Sequence, residues 1–439
     1  MFRDYFFELA DKLTARLRGD EVLLCSLTGE DSDFVRLNRN RIRQAGSVQQ
    51  RVLSLDLIKG RRHAAGQLGL SGHMEQDTAQ AAALMESLRA QRPHLPEDPY
   101  LHYATEARST EQVHDHALPP SDEALDQIMR AAEGMDLVGI WANGATFAGF
   151  ANSLGQRNWH SSATFNFDWS CHHAGDKAVK NGYAGSRWQL EVLLAKMEAM
   201  RAELELMQRP PKTIAPGRYR VYLAPAALRE ILDMLAWGGF GLKSHRTAQT
   251  PLIKMVREGR RLHPSVTLLE HGAAGFGPMF TPHGFIKPDH VVLIKDGAYG
   301  ECLADPRAAK EYGVAVNSAG ESPEAFDMAP GTLARSDVPA ALDTGLYINN
   351  LWYCNFSDRS NCRITGMTRF ACFWVENGRI TAPVNVMRFD ESVYHILGGR
   401  LLGLTREREL ILDSGTYGQR SLQSYHLPGA LVDGFTFTL

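Results

Sequence analysis

The chain has 439 residues, of which 44% are apolar and 22% are charged, and its formal net charge is -3. This length and composition predict a globular protein of about two or three domains with a substantial core. The near-neutral charge disfavours a nucleic-acid binder, because such proteins need clustered lysine and arginine to replace phosphate counterions. Asp4 and Glu8 interrupt the first apolar positions, so we expect neither a signal peptide nor a membrane span and predict a cytoplasmic protein.

The six cysteines predict reduced thiols that pack as small apolar groups. They are few for this length, and no two of them have the CxxC spacing of a redox or zinc motif. We therefore expect neither a disulfide framework nor a zinc ribbon.

Apolar spacing in the first 170 residues predicts an alternation of helices and strands. Positions three and four apart predict helices over 2–18, 76–92 and 121–134. Alternating patterns predict strands over 22–27, 34–37, 48–58, 137–150 and 161–169. The last of these alternates aromatic with polar residues and is expected to be half buried. The basic run from Asn38 to Arg43 is interpreted as a solvated hairpin connection, with a phosphate or peptide-carboxylate patch as the alternative.

Two groups of neighbouring histidines are candidate metal ligands. Cys171, His172 and His173 follow a strand, where adjacent side chains point to opposite faces, so at most two of them could bind one ion. His114 and His116 could lie on one face of a strand, but Glu, Gln, Pro and Ser residues surround them. We interpret the first group as a surface loop and the second as a solvated linker.

Residues 185–208 carry an apolar stripe at helical spacing and predict the longest helix of the chain. The stripe is interpreted as core, and its methionines leave a docking surface for another subunit as the alternative. Three prolines in the segment Arg209–Gly217 end this helix. The main domain boundary is therefore predicted there, between a first domain of residues 1–215 and a second of residues 216–439.

The second domain begins with a strand, a proline and a helix. The strand covers 218–224, and Pro225 opens the helix in its first turn, where no N–H donor is needed. Further along, Asp296-Gly297 and Asn377-Gly378 predict two hairpins, because these pairs readily supply the positive φ angles of a type I′ turn.

Several segments of the second domain, taken in order, resemble the TldD/PmbA proteins, a two-subunit peptidase family in which PmbA is also called TldE. The segments are the strand Gly345-Leu-Tyr-Ile348, the pair Thr365-Gly366 and the hairpin Val375-Glu-Asn-Gly-Arg-Ile-x-x-Pro-Val384. The resemblance implies an α+β fold. Its N-terminal α/β domain would contain a mixed sheet, and its C-terminal domain would contain mainly antiparallel strands in a curved, barrel-like sheet.

The resemblance also implies where a metal would bind in the catalytic subunit, TldD. There, an HExxxH motif on the helix after the strand supplies two zinc-binding imidazoles and a glutamate general base, and a cysteine near the C-terminus is the third ligand. Aligned without gaps, this chain has Asp233, Met234 and Gly238 at the positions of the His, the Glu and the second His. Ser414 is at the position of the cysteine, and no His-Glu pair occurs anywhere in the chain.

These replacements imply the non-catalytic, PmbA/TldE-like subunit of a heterodimeric zinc metalloprotease. We expect no metal or cofactor in this chain, and zinc in an HExxxH partner subunit. The substrates implied by the family are unfolded peptides and precursors of modified ribosomal peptides. A stand-alone homodimeric protein that binds peptides or acts as a scaffold is one alternative.

A hydrolase with a non-standard histidine site is the other alternative. His271, His283 and His290 lie in and after a glycine-rich segment and could form a substitute metal site, although no carboxylate shares their spacing. The glycines lack the Gly-Lys-Ser/Thr continuation of a P-loop, and the chain has no Gly-x-Ser-x-Gly nucleophile elbow.

Overall fold

A computed structural model describes residues 2–174 and 177–438 of the protein. Its helices are α1 (Phe2–Thr14), α2 (Met74–Gln91), α3 (Ser121–Ala131), α4 (Leu190–Met207), α5 (Pro225–Ala236), α6 (Leu242–Arg246), α7 (Ile253–Glu258), α8 (Pro306–Tyr312) and α9 (Val338–Leu342). The strands of the first half are β1 (Val22–Asn38), β2 (Arg41–Lys59), β3 (Arg62–Gly69), β4 (Thr110–Val113), β5 (Asp136–Asn152), β6 (Arg157–Ala174) and β7 (Lys177–Gly185).

The second half is richer in strands. These are β8 (Gly217–Leu223), β9 (Leu268–Glu270), β10 (Val291–Lys295), β11 (Ala298–Tyr299), β12 (Ala325–Met328), β13 (Gly345–Asp358), β14 (Arg363–Glu376), β15 (Arg379–Pro383), β16 (Arg388–Ser392), β17 (Leu401–Leu412) and β18 (Ser424–Phe437). The predicted α+β class is confirmed, with the strands gathered into two sheets.

The first sheet has the strand order β3-β2-β1-β5-β6-β4, and β7 pairs with β6. In its central strands, odd-numbered residues pair with odd-numbered residues and even-numbered with even-numbered ones. The odd-numbered side chains therefore lie on one face of the sheet and the even-numbered side chains on the other. The odd-numbered face is apolar and packs on α1 and α2 at one end and on α3 and α4 at the other. The even-numbered face is largely polar and contacts the C-terminal half of the chain.

The polar face explains why one burial prediction was wrong. The alternation over 161–169 predicts a half-buried strand, yet Ser162 and Thr164 of β6 are 1% and 0% exposed. On the same face, His160 Nε2 lies 2.9 Å from the carbonyl oxygen of Phe276. A polar face that is buried against hydrogen-bonding partners has the same sequence pattern as one that faces water, so the sequence could not distinguish them.

The second sheet closes into a small barrel. Strands β8, β13, β14, β16 and β18 pair in that order, and β18 pairs back with β8. The sheet continues from β18 through β12, β9, β10 and β11, while β15 pairs with β14 and β17 with β18. Helix α5 packs on β13 and β18 through its buried apolar face. The curved, mainly antiparallel sheet was expected, and its β8–β13 and β12–β18 pairs are parallel.

The three tight turns fall where the sequence placed them. Asp296 and Gly297 have φ angles of 50° and 74° between β10 and β11, and Asn377 and Gly378 have φ angles of 51° and 70° between β14 and β15. These positive angles confirm both predicted hairpins. The basic run 38–43 is the largely exposed turn between β1 and β2, as interpreted.

Two predicted element boundaries were wrong. The short strands expected over 22–27 and 34–37 are one strand, β1, because the polar residues between them pair without interruption with β2 and β5. The long helix begins at Leu190 and not at residue 185, because Lys177–Gly185 forms β7 against β6.

The apolar stripe of α4 is packed in the chain's own core. Leu193, Met197 and Met200 are buried among aromatic residues of β5 and β6 and beside Phe373 of β14. Because β14 belongs to the second predicted domain, α4 connects the cores of the two halves, and the boundary at residue 215 stays a prediction. No helix among residues 2–174 and 177–438 is long and apolar enough to cross a bilayer.

Candidate functional site

Helix α5 presents a polar face toward the loop that follows β17. Pro225 begins the helix, and Leu228 and Ile231 turn into the barrel core. Arg229 and Asp233 are four residues apart and therefore neighbours on the surface of the helix. Their side chains are only 21% and 32% exposed, so both groups lie largely out of water.

The loop after β17, residues 413–423, is held against the polar face of the first sheet. The Asn166 amide donates to the carbonyl oxygens of Leu412 and Asp413 at 3.2 and 3.1 Å. Further along the loop, the Gln419 amide donates to the carbonyl oxygen of Gly29 at 3.1 Å. Contacts with strands distant in sequence therefore fix the path of this loop.

Arg420 anchors the same loop from a buried position. It is 5% exposed, and it donates to the Gly144 carbonyl at 3.1 Å and to the carbonyl and hydroxyl oxygens of Thr164 at 2.9 and 2.6 Å. Burial lowers the pKa of Arg420 to about 10, and the negative charge of Glu30 opposes that shift. The guanidinium therefore remains charged at neutral pH and ties the loop to β5 and β6.

Arg229 joins helix α5 to this loop. Its Nη2 donates to Asp413 Oδ1 at 3.0 Å, and its Nε lies 3.3 Å from Asp233 Oδ2. The guanidinium carbon lies 5.1 Å from the centre of the Tyr425 ring, and the hydroxyl of that tyrosine donates to Asp233 Oδ1. One cation thus neutralises carboxylates from two elements.

Burial and charge have opposite effects in this cluster. Burial raises the pKa of Asp233, although Arg229 and the hydrogen bond from Tyr425 favour the ionised carboxylate. Burial alone would lower the pKa of Arg229, but the charges around it, chiefly Asp233, raise it overall. Burial also raises the pKa of Tyr425, so its hydroxyl keeps the proton that it donates.

The four residues aligned with the zinc-site positions of the catalytic subunit lie in different surroundings. Asp233 lies in the ion-paired cluster. Ser414 directly follows Asp413 in the chain and lines a cavity of about 170 Å³. Met234 is 7% exposed and lies in the barrel core. Gly238 has no side chain, and its φ of 77° is a conformation that other residues rarely adopt. The contact between α5 and the loop 413–423 therefore connects the elements that carry Asp233 and Ser414.

These residues do not fit a zinc ion. Asp233 and Ser414 offer only oxygen atoms, whereas the zinc site of the resembled catalytic subunit uses imidazoles and a thiolate. The Asp233 carboxylate is already paired with Arg229 and Tyr425. Within the described part of the chain, no group of three or more His, Cys, Asp and Glu side chains is arranged to hold a metal ion.

Two exposed aromatic residues and the partly buried Arg369 and Phe370 lie on the ribbon formed by β13 and β14. Trp352 and Tyr353 are 47% and 75% exposed, with ring centres 5.6 Å apart. The Arg369 guanidinium lies 4.8 Å from the Trp352 ring and 5.4 Å from the Phe370 ring. Lys180, which also lines the cavity, lies 5.8 Å from the Phe370 ring. We call Trp352, Tyr353, Arg369 and Phe370 the aromatic strip.

Irregular strand pairing shapes the aromatic strip. The pairing of β13 with β14 shifts between Trp352 and Asn355. Tyr353 and Phe370 have φ angles of 57° and 58°, which large side chains rarely adopt. Such bulges are concentrated near functional sites. The strip was not predicted, because an aromatic-rich strand is typical of a core, and only the adjacent pair Trp352-Tyr353 could have pointed to it.

His271 belongs to a second polar cluster, which is relevant to the histidine-site alternative. Its Nδ1 lies 3.0 Å from Asp327 Oδ2, and Asp327 also pairs with Arg408. The ring of His290 lies 5.9 Å from that of His271, whereas His283 lies in other surroundings, where burial lowers its pKa. The three histidines are therefore not brought together, and the nearest carboxylate is already neutralised by an arginine.

Of the interpretations of the other two histidine groups, the solvated linker is supported and the surface loop was wrong. The N–H of His114 donates to the Ser161 carbonyl at 2.9 Å at the end of β4, and its ring lies 5.1 Å from that of His160. His114 is half-buried just after β4, and His116 is exposed in the segment between β4 and α3, as the interpretation of a solvated linker expects. His172 pairs with Asp136 across β6 and β5, so it lies in a strand and not in a loop. Strand β6 extends beyond the residues that show a clear apolar alternation.

Comparisons with known proteins agree with this architecture. Residues 216–439 match the family model described as the PmbA/TldA metallopeptidase C-terminal domain. The whole chain is similar in fold to TldE from Thermococcus kodakarensis, with 14% identity, coverage of 100% of this chain and 99% of that one, and a TM-score of 0.74. No curated protein matches the chain.

Two further solved structures, both described as proposed modulators of DNA gyrase, have the same fold. The protein from Thermotoga maritima has 14% identity, coverage of 100% of this chain and 99% of that one, and a TM-score of 0.73. The protein from Bacteroides thetaiotaomicron has 16% identity, coverage of 100% of both chains, and a TM-score of 0.75. At these identities the likeness shows the fold alone.

Proposed function

Because this chain belongs to the PmbA/TldD metallopeptidase family by its C-terminal domain, we propose that it is the TldE-like subunit of a two-subunit peptidase and has no catalytic metal of its own. Its partner is a TldD-like subunit that carries the HExxxH motif and the zinc ion. The pair acts in the cytoplasm on unfolded peptides or precursors of ribosomally made peptides.

The ion-paired cluster around Arg229 is the observation that supports this proposal. In a catalytic subunit, the helix and the C-terminal loop would supply imidazole and thiolate ligands to one ion. In this chain, the same two elements supply the carboxylates of Asp233 and Asp413, which already have a guanidinium between them. The fold of a peptidase domain is therefore combined with residues that are unsuited to zinc.

The aromatic strip supports a role in lining a peptide-binding chamber. Exposed Trp and Tyr rings are typical of surfaces that bind other molecules, because they bury much apolar area at a small cost in conformational entropy. Arg369 stacks on this surface, and among the described residues it has no carboxylate partner. A peptide with apolar and acidic side chains complements such a strip.

Strand β2 offers a second means of holding an extended peptide. Within the described part of the chain, residues 41–50 of β2 pair with β1 alone, because β3 pairs only from Val52 onward and the carbonyl of Arg51 already accepts from the Leu70 N–H. The backbone N–H and C=O groups on the other edge of this segment are therefore available to an added strand. Strand addition through the main chain tolerates many sequences, which suits a peptidase for unfolded substrates.

Co-expression with a TldD-like subunit tests the proposal. We expect a 1:1 complex by native mass measurement, about one zinc ion per complex assigned to the partner by metal analysis of each separated subunit, and peptide cleavage by the complex alone. The proposal is rejected if this chain by itself binds a stoichiometric transition metal and cleaves peptide. A homodimer that binds peptide and ignores the TldD-like subunit would instead support the stand-alone alternative.

A further inference from the structure

We propose that the free edge of β2 selects acidic substrates, because it can add an extended peptide as a strand and place the peptide's acidic residues beside a group of arginines. We call these residues, Arg36, Arg39, Arg41 and Arg43, the arginine tip, since they surround the turn between β1 and β2. The inference rests on the proposed function in taking the bound peptide as a substrate. The contacts that carry it belong to this chain alone.

One hydrogen bond shows which backbone groups of β2 point away from β1. The Leu70 N–H, directly after β3, donates to the Arg51 carbonyl at 2.9 Å, and β3 lies on the side of β2 opposite to β1. Backbone groups of successive residues in a strand alternate between the two sides, so those of Gln49, Ser47 and Ala45 face the same way as those of Arg51. A strand laid beside them would meet donors and acceptors at the spacing of a sheet.

The sequence of this edge leaves it open to pairing. Exposed sheet edges are commonly protected by charged residues, by proline or by a covering element. Residues 44–50 read Gln-Ala-Gly-Ser-Val-Gln-Gln and contain neither a charge nor a proline. Residues 44–47 are exposed, and β1 is the one described strand that pairs with them. This segment can therefore accept a further strand.

The arginine tip carries positive charge that the described part of the chain does not neutralise. Residues 36–43 contain four arginines and no acidic residue, in a chain with a formal net charge of -3. All four are exposed, and none forms an ion pair with a described carboxylate. Further along β1, Asp31 is already paired with Arg51 at 2.9 Å, and Asp33 accepts from the Ser47 hydroxyl at 2.6 Å. The positive end of the edge is therefore free to attract an acidic group.

The backbone of the arginine tip is held in one position. Arg39 and Asn40 have φ angles of 52° and 51°, as a type I′ turn requires. The Asn40 N–H donates to the Leu137 carbonyl at 2.9 Å, and its side-chain amide donates to the Met129 carbonyl at 3.0 Å. The turn is thus tied to β5 and α3, so binding has less conformational entropy to remove.

An extended peptide with acidic residues at one end complements both features. Main-chain pairing along residues 44–50 tolerates many sequences, whereas carboxylates beside the arginine tip gain charge-assisted hydrogen bonds. A small anion such as phosphate would use the arginines alone and leave the strand edge unpaired. The combination of edge and charge therefore favours an acidic polypeptide.

The test measures the binding of two labelled peptides to the isolated full-length chain by fluorescence anisotropy. Both peptides share an uncharged run of β-forming residues. One adds a cluster of about four aspartates and glutamates, which asparagines and glutamines replace in the other. We expect the acidic peptide to bind about tenfold more tightly at low ionic strength and to lose this advantage as salt is added. Equal affinities at low ionic strength would overturn the inference.

The double variant Arg41→Gln/Arg43→Gln tests the arginine tip. It should weaken binding of the acidic peptide by about tenfold and leave binding of the neutral peptide unchanged. Arg61→Gln/Arg257→Gln is the matched control, because it removes two exposed arginines that lie outside residues 36–50. The inference fails if both double variants lose the same affinity for the acidic peptide.

Ala45→Pro tests the strand edge. Proline removes the outward N–H and places its ring in the path of an added strand, while the pairing with β1 keeps its donors. We expect both peptides to bind about tenfold more weakly and the melting temperature to stay unchanged. Ala45→Val keeps the N–H and should bind like the wild type. Undiminished binding to a folded Ala45→Pro variant would overturn the inference, and the arginine variants decide it if Ala45→Pro does not fold.

Two other occupants of the edge are outcomes of the same experiments. A wild-type homodimer that Ala45→Pro converts to a monomer in sedimentation velocity would assign the edge to a second copy of this chain. A TldD-like subunit that binds the wild type but not Ala45→Pro would assign it to the partner. Either result would overturn the inference.

Failure of the inference and failure of the proposed function give different results. If a complex with a TldD-like subunit cleaves the acidic and neutral peptides with the same kcat/KM, substrate selection by the edge is overturned and the proposed function stands. If no complex forms while the isolated chain still prefers the acidic peptide, the proposed function is overturned and the acidic-peptide site is supported.

Discussion

Asp233 shows how neighbours determine what a residue can do. In the sequence it is a carboxylate that the ungapped alignment predicts at the position of a histidine. In the structure it is a half-buried carboxylate with Arg229 one helical turn before it and Tyr425 donating from a strand 192 residues later. Its chemistry is that of a structural ion pair, which removing either partner would disturb.

Glu203 is a second residue whose surroundings change its titration. Burial raises the pKa of its carboxyl to about 7; the hydrogen bond from Asn349 lowers the pKa and the charge of Glu409 raises it. In the unfolded chain this carboxyl ionises near its usual pKa of 4.5. Between these two values the folded state holds a proton that the unfolded state has released, so stability falls as the pH rises toward 7.

Substituting Glu203 by glutamine should remove this pH dependence. The neutral amide oxygen can still accept the hydrogen bond from Asn349, which is 3.0 Å long in the wild type. We expect Glu203→Gln to match the wild type in free energy of unfolding at pH 5 and to exceed it by about 2 kcal/mol at pH 8. Urea denaturation at both pH values measures the difference.

Glu205→Gln is the matched control, because Glu205 lies on the same helix but is exposed. It should change the unfolding free energy by less than about 0.5 kcal/mol at either pH. Equal effects of the two substitutions at pH 8 would contradict a buried, protonated Glu203.

At the scale of elements, the loop 413–423 is positioned by strands of the other half of the chain. Asn166 of β6, Gly29 of β1 and Thr164 of β6 all bind it, and these residues lie more than 240 positions earlier in the sequence. The path of the loop that contains Ser414 is therefore set by these contacts and not by its local sequence. Its geometry depends on the contact between the two sheets.

Arg420→Met should destabilise this contact. The substitution leaves the carbonyl oxygens of Gly144 and Thr164 without their buried donor, so we expect the free energy of unfolding to fall by about 2 to 4 kcal/mol. Urea denaturation measures this loss. Arg406→Met provides the control, because the side chain of Arg406 is 65% exposed and its loss should cost less than about 0.5 kcal/mol. Similar losses for both variants would rule out a specific anchoring role for Arg420.

At the scale of the whole molecule, the central strands of the first sheet lie between helices on one face and the barrel half on the other. The hydrogen bond between His160 and Phe276 belongs to this second contact. Helix α4 also reaches β14, so apolar packing connects the two halves. The aromatic strip lies on the barrel half beside a cavity that β6 and β7 help to line, which places it where both halves meet.

Trp352→Ala should impair the assembled peptidase without changing the fold. The ring is 47% exposed, so its removal should leave the melting temperature unchanged. If the aromatic strip contacts the substrate, kcat/KM of the complex with a TldD-like subunit should fall by about tenfold. Val113→Ala is the control, because Val113 is an exposed apolar residue of the edge strand β4 and should leave kcat/KM unchanged. An unchanged kcat/KM for Trp352→Ala would remove the strip from the substrate path.

Much of the fold could be predicted from local patterns. Both Asp-Gly and Asn-Gly turns were predicted correctly because a positive φ angle depends on the residues at the turn itself. Helix α5 was predicted from Pro225 and its apolar spacing. The polar stretch inside β1 and the start of α4 were mispredicted, because strand partners far along the chain decided them.

The sequence by itself determined the α+β class, the turns and the family, and it predicts that Asp233, Gly238 and Ser414 occupy the positions of the zinc ligands. These are properties of local spacing and residue identity. Only the tertiary structure decided that Arg229 lies between Asp233 and Asp413, and that Trp352 and Tyr353 face outward. Such arrangements depend on contacts between distant segments and on bulges in strand pairing, neither of which has a local pattern in the sequence.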